Sequence, residues 1–228
     1  MTVTQTTTQR DPRIAIKRIA RRLFAERGLR DVTLREIAAA AGQRNLGVVS
    51  YYFGTKENLV VEILIDGAKK IEALRQAHLD RLNAAGGPSN VLQVIEALVL
   101  PSAQFADEDD QDGAYFNRFL LQLSLGSEGL IDRTLEGRWN DGYQRCLRYL
   151  RRLMPNLSPT EKNRRFVFLG SYVGALLALR ESMLADQSRA HPMWRSETTL
   201  EDIVRTAAAV LEAPLPHEHG NGSHTAKE

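Results

Sequence analysis

Glycines and capping residues cut residues 33 to 59, TLREIAAAAGQRNLGVVSYYFGTKENL, into two short helices and the start of a third. No other stretch of the chain restricts the fold as much. Leu34, Ile37, Ala38 and Ala41 recur at the helical period on one face. Gly42 ends that helix, because a residue free to take positive φ closes the last turn. After the polar turn Gln43-Arg44-Asn45, a second segment directs Val49 and Phe53 inward and Ser50, Tyr51 and Tyr52 outward. Gly54-Thr55-Lys56 breaks it, and Thr55 is the expected N-cap of the next helix. Two short helices across a tight turn form a helix-turn-helix, whose second helix is suited to the major groove of DNA. Sequence-dependent DNA binding is therefore the leading expectation.

The same punctuation reads as helix along almost the whole chain, so the fold class is all-α. Asp11 and Pro12 open a first helix and Gly28 stops it, with Ile16, Ile19, Ala20, Leu23 and Phe24 as its buried stripe. A longer helix follows from Lys56 to about Ala84, and Gly86-Gly87-Pro88 breaks it. Ser89 is expected to cap a helix to about Phe105, and 107 to 112 reads as a solvated acidic loop. Further helices are expected at 113 to 125, 128 to 153 and, capped by Ser158, 159 to 186. Thr198 or Thr199 starts the last one, which ends near Glu212. The expected domains are 11–55, a helix-turn-helix DNA-binding domain, and 56–213, a helical ligand-binding and dimerisation domain. Residues 1–10 and 214–228 read as disordered tails. The count is about nine helices, three of them in the head.

Between about Ile14 and Leu64 the chain resembles the DNA-binding domain of TetR-type transcriptional regulators. The resemblance rests on Phe24-Ala25-Glu26-Arg27-Gly28, then Thr33, Ile37-Ala38, Ala41-Gly42, Tyr52-Phe53, Lys56-Glu57 and Leu59. Beyond these residues the chain matches the family in length and helical pattern. It departs in one place: the turn through Gln43-Arg44-Asn45-Leu46-Gly47 is one residue longer, and Ser50 stands where a tyrosine is usual. The resemblance implies a nine-helix homodimer that reads an inverted-repeat operator, most often as a repressor. It also implies that a small ligand in the body releases the protein from DNA.

Charge agrees with a DNA-binding head. Residues 1 to 60 carry eleven Lys and Arg against five acids, a balance of +6, whereas the whole chain is +2. The body is therefore −4, so the basic charge is concentrated where phosphates would lie. A ligand-independent architectural DNA binder, the alternative reading, would spread basic charge over the body as well. The single Cys146 excludes an internal disulfide and suits a reducing cytoplasm. Residues 1 to 10 have no apolar core, so no secretory leader is expected. Leu169 to Leu179 is too short an apolar run to span a bilayer, and no membrane partner is expected.

Arg44, Asn45, Leu46, Gly47 and Val48 lie at the turn and the start of the recognition helix, the end that meets base edges. Arginine can bond guanine bidentately, asparagine adenine, and an apolar side chain a thymine methyl. Thr33 and Lys56 stand at helix N-termini, where a hydroxyl, an amide and an ammonium can hold a phosphate. Ser50, Tyr51 and Tyr52 can reach phosphates or bases, with core packing the alternative for each tyrosine.

In the body, Phe166, Leu169, Gly170, Val173, Gly174 and Leu177 form a stripe with small residues four apart, continued by Thr206, Ala207 and Val210 in the last helix. These are the candidate dimer residues, since helix-turn-helix proteins read paired half-sites. Gly170 and Gly174 otherwise relieve crowding within one subunit. The resemblance implies that these helices form a four-helix interface, and that the middle helices enclose an apolar cavity near Phe105, Phe116, Phe119, Leu120, Leu123, Trp139, Tyr143 and Tyr172. No catalytic constellation, metal site or cofactor is expected. His217-Glu218-His219 lacks the helical spacing of a zinc site, and Cys146 reads as a small buried hydrophobe.

Overall fold

A computed structural model describes residues 11–107, 113–127 and 129–215. The Asp11 carboxylate accepts the Arg13 backbone N–H, and Pro12 opens α1 (Pro12–Arg27). Gly28, at φ +80°, turns the chain toward α2 (Leu34–Ala40). A capping box starts α2: Thr33 Oγ1 accepts from the Glu36 N–H and Glu36 accepts from the Thr33 N–H. After α3 (Val48–Phe53), Thr55 caps α4 (Lys56–Ala84) by accepting the Asn58 N–H, as its position predicts. The body continues with α5 (Val91–Asp107), α6 (Phe116–Gly126), α7 (Leu130–Leu135) and α8 (Asp141–Leu153). It ends with α9 (Pro159–Ala185), α10 (Pro192–Arg195) and α11 (Glu197–Glu212).

The described residues are all-helical, with eleven helices rather than about nine. The helix expected over 128 to 153 is two helices. Gly137 and Trp139 both take left-handed backbone, at φ +65° and +55°, and interrupt the turn between α7 and α8. The short α10 occupies the break after His191. Two caps also differ from expectation. At α5 the cap is Asn90, whose Oδ1 accepts the Gln93 N–H, while Ser89 donates to the Gln93 side chain. At α11 the cap is Ser196, one turn earlier than Thr199. The acidic loop falls largely outside the described residues, as do most of the two tails.

Two apolar clusters hold the chain together. The first joins head and body: Ile16, Phe24, Ile37, Val49 and Phe53 pack with Leu59 and Ile63 of α4 and with Phe105, Phe116 and Phe119. The second lies deeper in the body, between α4, α5, α8, α9 and α11, and contains Cys146. Burial pushes the Cys146 thiol up to about 11, the behaviour of an inert packing residue.

By length and composition α9 is the one described helix able to cross a membrane, although only 28% of its apolar window is buried within the chain. It carries the buried charges Arg165, Arg180 and Glu181 and packs on α6, α11 and α5. Phe166, Leu169 and Leu177 face this interior. Val167, Phe168 and Leu179 point away from it, exposed by 65%, 56% and 43%.

Candidate nucleic-acid interface and the cavity in the body

The recognition segment is held by its own turn. Asn45 Oδ1 accepts the Gly47 N–H at 2.9 Å, and the Val48 N–H bonds the Asn45 carbonyl at 3.1 Å. Asn45 thus does local work as a turn-forming acceptor, and its carbonyl oxygen is engaged before any base approaches. A side chain at Gly47 would bring its Cβ to 3.3 Å from that oxygen. The five residues Gln43 to Gly47 remain outside helix, so the longer turn is accommodated before α3 begins.

Val49 and Phe53 are buried under α3, and Arg44, Asn45, Leu46, Gly47, Ser50 and Tyr51 are exposed on its outer side, with Val48 half-buried. Tyr51 is 84% exposed, whereas Tyr52 is half-buried with its ring edge-on to Phe53 at 6.3 Å. Arg13 lies 5.1 Å above the Phe53 ring and pairs with Glu62 at 2.8 Å, which fixes α1 against α3 and α4. Tyr51 therefore belongs to the outward surface and Tyr52 to the support beneath it.

Lys56 and Thr33, expected at phosphates, both make hydrogen bonds within the protein. The Lys56 ammonium donates to the carbonyls of Leu29 at 2.8 Å and Val32 at 3.0 Å, pinning the α1–α2 connection to the start of α4. The Thr33 hydroxyl donates to Glu36 at 2.8 Å, and Glu36 also pairs with Arg27 at 2.9 Å. The Thr33 bonds, followed by Arg27, lower the Glu36 carboxyl to about 2. Arg35, not singled out from sequence, is exposed on α2. The signal was its place opposite Ile37 and Ala38. Among the described residues neither Arg35 nor Arg44 has an ion-pair partner, so both present free positive charge.

In the body a cavity of about 530 Å³ opens between α4, α6, α7 and α8. Of the residues expected there, Phe116, Leu120, Trp139 and Tyr143 line it. Phe105, Phe119 and Leu123 are buried behind it in the shared cluster. Tyr172 lies elsewhere, its hydroxyl bonded to Thr206 at 2.7 Å. Gly67 allows the Phe116 ring to lie against α4, since a Cβ there would meet that ring at 2.1 Å. A larger cleft of about 840 Å³ lies between α1, α6 and the end of α9. Two of its arginines are already paired, Arg118 with Glu181 at 3.2 Å and Arg180 with Asp107 at 2.7 Å. It is a polar seam.

Of the candidate dimer residues, Phe166, Leu169, Leu177 and Ala207 are buried in their own subunit, and Val173 and Val210 are half-buried. Thr206 and Gly170 are exposed and Gly174 is half-buried. Nothing lies within 4 Å of a Cβ built at Gly170 or Gly174, so these glycines relieve no crowding within the chain.

A three-helix head with an outward-facing recognition helix, fused to a helical body, defines a helix-turn-helix DNA-binding regulator. Comparison with known proteins then specifies the family. Residues 16–63 match the model of bacterial regulatory proteins of the tetR family, and residues 96–210 match the tetracyclin repressor-like C-terminal domain. The chain belongs to the TetR family of DNA-binding, non-enzymatic transcriptional regulators. A Shewanella sp. PV-4 protein assigned to that family of transcription regulators has a similar fold. It shares 14% identity over 87% of this chain and 96% of its own, with a TM-score of 0.59. The transcriptional regulatory protein RHA5900 is 22% identical over 90% of this chain and all of its own, with a TM-score of 0.52. No curated protein matches by sequence.

Proposed function

We propose that this chain is a cytoplasmic homodimeric repressor that reads an inverted-repeat operator and leaves it when a small, mostly apolar ligand occupies the body cavity. The observation that carries the proposal is the recognition surface. Arg35, Arg44, Leu46, Ser50 and Tyr51 are all presented outward by a head whose Ile16, Phe24, Ile37, Val49 and Phe53 are buried in the core it shares with the body. Arg35 and Arg44 supply charge for phosphates or guanine edges, and Leu46 and Tyr51 supply apolar contact. Lys56, Thr33 and Asn45 support the geometry from behind.

Dimerisation is supported by the outer face of α9, where Val167, Phe168 and Leu179 flank the open space beside Gly170 and Gly174. A face this apolar is costly to leave in water, and a twin subunit would cover it. Regulation is supported by contact between rings. Phe116 lines the cavity and packs on Phe119 at 5.9 Å, and Phe119 stacks on Phe24 of the head at 6.3 Å. A ligand that favours one Phe116 position biases the head by its differential affinity for the two states.

Selection of genomic fragments by the purified protein at fixed near-physiological salt tests the proposal. Enrichment of a common inverted repeat is the expected result. Retention without shared sequence would contradict operator reading.

A further inference from the structure

Among the described residues, one charged side chain that lines the body cavity is buried. It is Arg75, only 8% exposed. Its guanidinium makes one long hydrogen bond, from Nη1 to Glu72 Oε2 at 3.4 Å, and its Nε is buried without an acceptor. Glu72 is held more closely by other groups: its Oε1 accepts the Gly142 backbone N–H at 2.5 Å and the Gln76 amide at 2.7 Å. Glu72 therefore ties α4 to the start of α8 and does not line the cavity, while Arg75 lines it with a buried Nε that no acceptor satisfies. A buried guanidinium with donors to spare is best matched by an oxyanion.

The other charges cannot do this. Asp132 and Arg133 on α7 and Glu136 just after it are exposed, where water and salt screen them. The apolar part of the wall includes the buried Ile71 and Phe116, the half-buried Leu120 and the exposed Trp139. Tyr143 stands on α8 beside Arg75, and burial pushes its phenol up, so it remains a neutral donor at pH 7.

The geometry points to an organic acid as the ligand class: an apolar, partly aromatic body against Phe116, Leu120 and Trp139, with its carboxylate-type group on Arg75. This inference rests on the cavity being the ligand site. An anion there supplies the missing acceptor without taking Glu72 from Gly142.

Two fluorescent probes that differ only in the acid group test it on the full chain: 8-anilinonaphthalene-1-sulfonate and its uncharged counterpart N-phenyl-1-naphthylamine. A charge-assisted bond to a buried guanidinium predicts that the sulfonate binds about tenfold tighter or more. Arg75→Met removes that advantage and leaves the neutral probe within about twofold, the change expected when only the charged contact is lost. Leu120→Trp fills the cavity and weakens both probes. Equal binding of the two probes, both weakened by Leu120→Trp, overturns the acid but leaves the cavity as a ligand site. A sulfonate advantage that survives Arg75→Met overturns the role of Arg75. Indifference of both probes to Leu120→Trp, or no binding of either, sinks the cavity reading as well. Should Arg75→Met fail to fold, Arg75→Gln and the wild-type ratio of the two probes decide the same question.

Discussion

The Phe24 ring of α1 stacks on the Phe119 ring of α6, with centroids 6.3 Å apart and planes 30° from parallel. Both side chains are fully buried, so this pair is where the DNA-binding head and the body share one core. The head is not an independent bead on a linker. Its position follows α6, and α6 is itself fixed by the Glu181 carboxylate of α9, which accepts the Asn117 N–H at 2.9 Å and the Arg118 guanidinium at 3.2 Å.

Phe119→Leu keeps an apolar side chain but loses the ring contacts to Phe24 and Phe116. It is expected to lower stability by about 1–2 kcal/mol, read by urea unfolding. The same variant should respond less to a cavity ligand in DNA-binding assays, because the ring contact from Phe116 to the head is gone.

Lys56→Ala and Arg44→Ala should weaken DNA binding for different reasons. Lys56 holds two carbonyls of the α1–α2 connection, so its loss leaves partly buried acceptors without it and costs about 1 kcal/mol of stability. Arg44 is exposed and unpaired among the described residues, so its loss should leave the melting temperature unchanged while affinity falls and the salt slope becomes shallower. Tyr51→Ala should resemble Arg44→Ala in stability. Equal melting temperatures for Lys56→Ala and wild type would contradict the supporting role of Lys56.

The head should be acid-sensitive through Glu36. Its carboxyl is lowered from 4.5 to about 2 in the folded chain, chiefly by the two Thr33 bonds and then by Arg27. Folding therefore gains from ionised Glu36 above about pH 4.5, and the gain is lost as pH falls toward 2. Glu36→Gln should be less stable than wild type at neutral pH, and the two should converge in acid. Melting curves from pH 7 to pH 2 read this directly.

The proposed dimer face and the subunit core lie on opposite sides of α9, and substitutions should separate them. Phe168→Glu, on the exposed side, should yield a folded monomer by sedimentation equilibrium. Leu169→Ala, buried in its own subunit, should cost about 2–5 kcal/mol of subunit stability. A Phe168→Glu protein that remains dimeric would move the interface elsewhere.

Much of this was readable from residues alone, for physical reasons. Caps and positive-φ glycines act locally, so Thr33, Thr55 and Ser158 mark the starts of α2, α4 and α9 without any tertiary information. The break between α7 and α8 was not readable, because a tryptophan's own preference is against the left-handed backbone that Trp139 takes at φ +55°. The cavity residues were half legible. Hydrophobicity identifies Phe105, Phe119 and Leu123 as buried, but only the fold separates a cavity wall from the packing behind it. Lys56 reads as a phosphate ligand at its helix start, but the two carbonyls that the neighbouring loop brings to it were not legible, and they occupy two of its three donors. Arg75 carried no sequence signal, since an arginine inside a long helix normally faces water.

The central claim is specific operator reading by the outward face of α3. It is tested most directly by fluorescence anisotropy with the selected fragment and a scrambled fragment of equal length at the same near-physiological salt. The account predicts at least about a thousandfold preference for the selected fragment, with two chains bound per site. A ratio near one, unchanged by Arg44→Ala and Tyr51→Ala, would contradict it.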